Sequence, residues 1–93
     1  MKDFILEKKA TNSHLKGNIN ISKVPINLLP KVSEKVIIVL GDDISHSNFV
    51  FAKGYRINNV LIGNWLQQNN IRIGNTFYIR ITNNNTFEFL INV

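Results

Sequence analysis

Cysteine is absent from this chain of 93 residues, and methionine and tryptophan occur once each. Without cysteine, a disulfide framework and a cysteine-based zinc site are both impossible. The longest aliphatic run, Val36 to Leu40, is far shorter than the roughly 20 residues that a membrane-spanning helix needs. Asp3 and Glu7 lie near the N-terminus, where a signal peptide would carry its apolar block. We therefore expect a cytoplasmic protein with no membrane partner, no cofactor and no metal site.

Acidic residues are scarce as well, and they are unevenly placed. The chain has 11 Lys and Arg against 6 Asp and Glu, which gives a net charge of +5. Five cations and no acid lie between Lys8 and Ser33, and four cations and no acid lie between Ile44 and Phe87. Two acid-free stretches of this kind can build one positive face that binds phosphates. The alternative is a scatter of solvated lysines with no shared function.

Asparagine, by contrast, is abundant, with 15 of the 93 residues. An AT-rich coding bias explains such an excess, but asparagine also suits turns and the base edges of nucleic acids. Hydrophobic residues make up 44% of the chain, which is ordinary for a globular domain and too high for a disordered one. The length suits one domain over residues 1–93, which would bury roughly 60% of its unfolded surface.

Short apolar patterns predict a mostly β protein. Residues 18–21 alternate polar and apolar side chains, whereas residues 35–40 are apolar enough for burial on both faces. Seven strands are predicted in all, over residues 4–6, 18–21, 35–40, 48–52, 59–62, 77–81 and 87–93. Seven strands in so short a chain favour an antiparallel barrel or half-open barrel, because closure hides the edges of a sheet.

Two short helices complete the predicted fold, a mostly β, seven-stranded open pseudobarrel. Pro25 and Pro30 limit the first helix to one or two turns. The second helix is expected to begin at Asn64, whose side chain can cap the first turn while Gln67 completes a capping box. Residues 8–17 are polar and are predicted to form a loop.

The residues after position 58 carry a recognisable pattern. Residues 59–66 read NVLIGNWL, and residues 70–75 read NIRIGN before the strand that starts near Phe77. With the upstream order of strand, polar arm, strand, short helix and strand pair, this pattern resembles the plant B3-type DNA-binding domain. The same pseudobarrel serves as the effector domain of some restriction endonucleases, and the compact loops here look more like that branch. The resemblance implies a non-catalytic domain that binds double-stranded DNA.

In that family two arms clasp the major groove, and the resemblance assigns them to residues 9–20 and 53–59. Both segments lie in the acid-free stretches described above. Lys9, Lys16 and Lys23 would contact phosphates and make the affinity strongly dependent on salt. The other DNA-binding residues predicted on the first arm are Thr11, Asn12, Ser13, His14, Asn18 and Asn20. Those predicted on the second arm are Lys53, Tyr55, Arg56, Asn58 and Asn59.

Arg56 is the strongest single candidate, because a guanidinium can make a two-point bond to guanine or clamp a phosphate. Asn18 and Asn20 share a face of one strand, and asparagine can bond adenine at two points. Each of these side chains also has a structural alternative. Turn chemistry accounts for Asn12 and Ser13, a wet strand face accounts for the asparagines, and a solvated loop accounts for the arginine.

Catalytic motifs are missing from the sequence. No Gly-x-Ser-x-Gly occurs, and nothing positions a third group beside Ser13 and His14. Asp42 and Asp43 would point in opposite directions on a strand and share no metal ion. We therefore expect no enzymatic activity, although a nuclease domain or subunit is a possible partner. The alternatives are a protein-contact barrel in a multi-subunit assembly and a single-stranded nucleic-acid binder, and the oligomeric state stays open.

Overall fold

A computed structural model describes residues 4–51, 54–82 and 85–92 of the chain. Within these ranges the fold has seven strands and two short α-helices, and it is mostly β as predicted. In chain order the strands are β1 (Phe4–Lys9), β2 (Asn18–Ile21), β3 (Lys35–Leu40), β4 (Asp43–Phe51), β5 (Tyr55–Asn58), β6 (Thr76–Thr82) and β7 (Thr86–Leu90). The helices are α1 (Asn12–Leu15) and α2 (Val60–Gln68), and a 3-10 turn spans Ile26–Leu28.

The strands form one mixed sheet in the order β1-β6-β7-β3-β4-β5-β2. Strands β3 and β7 pair in parallel, and the other neighbours pair antiparallel. The sheet curls into a half-barrel whose two edge strands are β1 and β2. The open pseudobarrel expected from the sequence is therefore confirmed, and its open side lies between β1 and β2.

The core fills the inside of this half-barrel with side chains from every strand and from α2. Phe49, Phe77, Phe87 and Phe89 are all buried, and the rings of Phe49 and Phe87 stack with centroids 5.9 Å apart. Burying each such side chain stabilises the fold by about 1.5–3 kcal/mol. Leu28 and Leu29 of the 3-10 turn region pack against this core. The predicted helix between the two prolines is thus reduced to a single 3-10 turn.

Helix α2 begins earlier than predicted, and the strand expected over residues 59–62 is wrong. Asn59, and not Asn64, is the N-cap, because its side-chain Oδ1 accepts a hydrogen bond from the Leu61 N–H at 3.0 Å. Ile62 and Leu66 are four residues apart and both are buried, so the apolar run belongs to one helix face. A short apolar run fits a strand and a buried helix equally well, which explains the error.

Residues 8–17 were predicted to form a loop, and this prediction is wrong at the start and at the centre of the segment. Strand β1 continues through Lys9, and α1 then occupies the centre of the segment. Thr11 is the N-cap of α1 and His14 is its third helical residue, and each accepts a hydrogen bond from the backbone N–H of the other. Histidine takes the place that glutamate or glutamine usually has in such a capping box, so the pattern was overlooked.

Several strand bounds also differ from prediction. Strand β4 begins at Asp43 because Leu40 pairs with Asp43 in a tight hairpin, which leaves only Gly41 and Asp42 in the turn. Strand β5 begins at Tyr55, where no strand was predicted. The last two strands pair as a hairpin with Thr82 opposite Thr86, but β7 ends at Leu90 and is shorter than the predicted strand over residues 87–93. Across the described ranges, no helix is long and apolar enough to cross a membrane.

Candidate functional site

Strands β2 and β5 bring the two predicted arms together. They pair antiparallel along their whole length, with Asn18 opposite Asn58 and Asn20 opposite Arg56. Residues from the two acid-free stretches are therefore direct neighbours across a strand pair, although they lie far apart in the sequence. Nothing in the sequence specified this pairing, because register between distant strands depends on how the whole sheet closes.

The polar side chains of these two strands share one face of the sheet. Ile19 and Ile57 are fully buried, so their neighbours along each strand point to the opposite face. That outer face carries Asn18 and Asn20, which are exposed, beside Arg56, which is partly exposed. The predicted solvent-exposed strand face is present, and it places the Arg56 guanidinium beside the amides of Asn18 and Asn20.

A cleft of about 450 Å³ lies where this face meets the first edge strand and α1. It combines residues of both edge strands with one residue of β5, so it opens at the unclosed side of the half-barrel. Its lining residues are Glu7, Lys8, Lys9, Thr11, Ser13, His14, Asn18, Asn20 and Arg56. Seven of these nine were predicted from the sequence as DNA-binding residues, and Glu7 and Lys8 were not.

Arg56 has an unusual environment in this cleft. Its Nε atom is buried and makes no hydrogen bond to any described residue. A buried donor without a partner costs about 1–3 kcal/mol, so the free protein carries an N–H group that an incoming acceptor would satisfy. Arginine can present a planar pair of donors to a phosphate or a guanine edge. Arg56 is therefore the side chain of the cleft with the most to gain from a ligand.

Lys8 is the residue that sequence reasoning missed. In β1, Leu6 is buried and Lys8 is partly buried two residues later, so the lysine takes an inward position where the strand pattern calls for an apolar side chain. Burial, followed by the charge of Lys23, lowers the pKa of the Lys8 ammonium. The omission followed from ending the predicted strand at Leu6, which left Lys8 in a loop.

His14 has a structural role in this site. It is 7% exposed, its Nδ1 accepts the Thr11 N–H, and its ring packs edge-on against Phe77 with centroids 5.5 Å apart. Burial first, and the charge of Lys8 second, lower the pKa of the imidazole, while a hydrogen bond to the Lys9 backbone opposes this shift. The neutral ring therefore holds the first arm in shape, and it has little surface left for a ligand.

The pH dependence of folding is expected to report this role of His14. In the unfolded chain the imidazole binds a proton near its ordinary pKa of 6.5, whereas the folded protein binds it only at lower pH. The unfolded state thus holds more protons in this window, so stability falls as the pH drops below about 7. His14→Gln keeps a capping acceptor that cannot titrate. Urea unfolding at several pH values should show a flatter pH dependence for the variant, and equal slopes for both proteins would contradict the assignment.

Two glycines and Asn59 lock the arms to α2. The Asn59 N–H donates to the Gly17 carbonyl at 2.9 Å, and a Cβ at Gly17 would lie 2.6 Å from the Asn59 carbonyl carbon. A Cβ at Gly63 would lie 2.8 Å from the carbonyl carbon of Leu15 in α1. The Asn59 side chain is also occupied, since it caps α2 and its Nδ2 donates to Ser45 Oγ at 3.3 Å. Asn59 therefore has a structural role in the second arm, where its backbone and side chain are both hydrogen-bonded.

The other predicted residues differ in how open they are. Lys9, Thr11, Ser13, Lys23 and Asn58 are exposed. Asn12 and Lys16 are exposed too, and they line a neighbouring cleft of about 730 Å³ with Arg72. Tyr55 stacks on the buried Phe49, with centroids 5.2 Å apart, so its ring belongs partly to the core. Lys53 lies outside the described residues.

Comparison with known proteins establishes the fold alone. No protein-family model matches the chain, and no curated protein matches it by sequence. Among solved structures, a hypothetical protein of Arabidopsis thaliana is similar, with a TM-score of 0.65 and 13% sequence identity. The match covers 96% of this chain and 89% of that chain. The half-barrel as a whole is therefore a fold that a solved structure shares.

Proposed function

We propose that this protein binds double-stranded DNA in a sequence-specific manner, without catalysis, through the two arms at residues 9–20 and 53–59. The observation that carries the proposal is the β2–β5 pairing, which joins both acid-free segments into one polar surface that carries Arg56. The orphaned Nε of Arg56 within that surface adds a donor that a phosphate or a base edge can satisfy.

The candidate DNA-binding side chains divide into two chemical roles. Lys9, Lys16 and Lys23 are exposed ammonium groups suited to phosphate contacts, which position a duplex without reading its sequence. Asn18, Asn20 and Arg56 carry the amide and guanidinium groups that pair with adenine and guanine in the major groove. On this basis the protein acts as the recognition or effector domain of a restriction endonuclease, with a nuclease domain or subunit as partner, or as a small regulator.

Salt dependence of duplex binding tests this proposal directly. In fluorescence anisotropy with a randomised duplex, the logarithm of the affinity should fall linearly with the logarithm of the salt concentration. For Lys9→Ala this slope should be less steep by about 1, because one phosphate contact is lost. Lys31→Ala is the matched control, since Lys31 is exposed and lines neither of the two clefts above. The proposal would be contradicted if the protein does not bind DNA at low salt, or if Lys9→Ala and Lys31→Ala give equal slopes.

Competition with a single strand separates the duplex proposal from its nucleic-acid rival. Single-strand binders rely on exposed aromatic platforms. Phe51 is 58% exposed and meets the Tyr55 ring edge-on at 5.2 Å, whereas Phe49, Phe77, Phe87 and Phe89 are buried. We expect a duplex to displace a labelled duplex more effectively than a single strand of the same sequence does. Stronger competition by the single strand would favour the rival.

Protein contact is a second candidate function, and a mixed groove with exposed apolar side chains favours it. Ile44 and Leu61 are 68% and 48% exposed, and they line a cleft of about 360 Å³ with Trp65 and Asp43. Asp43 makes no ion pair with any described residue, so the groove suits a partner segment that combines apolar and basic side chains. Trp65 emission should then respond to a leucine-lysine peptide more strongly than to a leucine-glutamate peptide. The reverse order would argue against this function.

A further inference from the structure

Lys8 occupies an inward position on β1. Leu6 and Lys8 lie on one face of β1, and that face builds the core. Removing an ammonium group from water is costly unless an anion or several acceptors compensate for it. An apolar side chain at this position would extend the core at no such cost. Packing alone therefore does not explain why a charged side chain occupies this core-facing position.

No described residue neutralises Lys8. Within the described ranges the one ion pair joins Arg80 and Glu88, which lie opposite each other on β6 and β7. Glu7 lines the same cleft, but it is exposed, its side chain belongs to the opposite face of β1, and it forms no ion pair with a described residue. The charged neighbour that acts on Lys8 is Lys23, a second cation. The charge that acts on Lys8 is thus another positive charge, where a carboxylate would be expected.

The same cleft carries further donors. The Nε of Arg56 is buried without a partner, and the hydroxyls of Thr11 and Ser13 lie on the same cleft. Ammonium, guanidinium and hydroxyl groups together match an anion with several oxygens, and the cleft volume of about 450 Å³ admits a phosphate ester. Among the described residues that line the cleft, Glu7 is the only one with a carboxylate.

We propose that this cleft is a phosphate-binding site in which the Lys8 ammonium and the Arg56 guanidinium hold one phosphate group between β1 and β5. The inference deepens the proposed function and rests on it for the source of the phosphate, a backbone phosphodiester of the bound duplex. A free phosphate ester carries the same chemistry, and the experiment below distinguishes the two sources.

The test uses the intact chain with inorganic phosphate and with dimethyl phosphate, a mimic of the DNA backbone. Each is titrated against potassium chloride at matched ionic strength while the Arg56 Nε–H resonance is followed by NMR. We expect either ligand to shift this resonance, and Lys8→Met to weaken both titrations by roughly tenfold or more, as for a lost hydrogen bond to a charged group. Lys31→Met is the matched control and should bind as the unmodified chain does.

Thermal unfolding provides a readout that is independent of DNA. Phosphate should raise the unfolding midpoint of the unmodified chain, because a ligand that binds only the folded state stabilises it. Lys8→Met removes an uncompensated charge, so it should fold at least as stably and lose the response to phosphate. An equal rise for Lys8→Met would show a general salt effect and would overturn the site.

Duplex binding by the same variants separates the two proposals. If phosphate shifts Arg56 and Lys8→Met weakens duplex binding by roughly tenfold, the site holds a DNA phosphate. If phosphate binds but no duplex does, the site stands with a free ester as its ligand and the proposed function fails. If Lys8→Met binds the duplex normally and phosphate leaves Arg56 unmoved, the phosphate site is wrong and the proposed function survives.

Discussion

Arg56→Ala is expected to weaken duplex binding by about 1–3 kcal/mol, roughly 5- to 150-fold in Kd. The reason is local: the side chain lies beside Asn20 on the outer sheet face, lines the cleft, and keeps a buried Nε without a protein partner. Truncation removes that orphaned donor from the free protein, so the free energy of unfolding should change little. Anisotropy titrations and urea unfolding of the same samples measure both quantities.

Two further variants sharpen this experiment. Arg56→Lys keeps the charge but loses the planar fork, so it should fall between the unmodified chain and Arg56→Ala. Lys31→Ala removes one positive charge from an exposed position that lines neither the cleft beside Arg56 nor its neighbour. If Lys31→Ala weakens binding as much as Arg56→Ala does, net charge alone accounts for the affinity and Arg56 has no specific role.

Gly17→Ala is expected to give the largest loss of stability, about 2–5 kcal/mol. Gly17 has a φ angle of +93°, and a Cβ there would lie 2.6 Å from the Asn59 carbonyl carbon. The substitution therefore adds backbone strain and a steric clash, and it disturbs the 2.9 Å hydrogen bond from the Asn59 N–H to the Gly17 carbonyl. Because Asn59 caps α2, the damage reaches the helix and the second arm. Urea unfolding followed by Trp65 fluorescence measures the loss.

Gly74→Ala is the matched control for backbone strain. Gly74 has a φ angle of +95°, but no atom lies within 4 Å of the place where its Cβ would be. It should cost only the strain, about 1–2 kcal/mol. Gly63→Ala supplies the complementary case, a close approach to the Leu15 carbonyl carbon at 2.8 Å without a positive φ. Equal losses at Gly17 and Gly74 would mean that the contact between the two arms contributes nothing to stability.

The two experiments address different links between structure and function. Gly17 holds the arms together, so its substitution should lower binding only through the fraction of folded protein. Arg56 meets the ligand, so its substitution should lower binding in a protein that remains folded. Measuring stability and affinity on each variant keeps these effects apart.

Much of the fold was predictable because local patterns point to it without ambiguity. The alternation in residues 77–81 and 87–93 predicted the last two strands, although β7 ends at Leu90, and the pattern at Asn18 to Ile21 gave β2 its bounds. Where a local pattern fits two structures, prediction failed. The run from Val60 to Ile62 reads as a strand, but it forms the first turn of α2, which packs its Gly63 against Leu15 of α1. Seven strands were counted correctly because the misplaced strand at residues 59–62 stood in for β5.

The candidate site was predictable in its residue types and not in its arrangement. Charge placement singled out two acid-free stretches that contain Lys8, Asn20 and Arg56, and the resemblance narrowed them to arms at residues 9–20 and 53–59. The arms left out Lys8, whose inward position depends on how far β1 continues, and they did not anticipate that His14 is buried as part of a helix cap. Both points concern the direction of a side chain, which follows from the register of a strand or the start of a helix and not from residue type.

By itself the sequence determined that this is a small, mostly β, cysteine-free domain whose cations lie apart from its acids, because composition and period-2 alternation are local properties. Only the tertiary structure decided that the two cationic segments form one surface. That outcome depends on the antiparallel register of β2 with β5, on the close approach of Gly17 to Asn59, and on a half-barrel that stays open beside β1. Such contacts join residues distant in sequence, and their geometry is fixed only when the whole sheet has closed around its core.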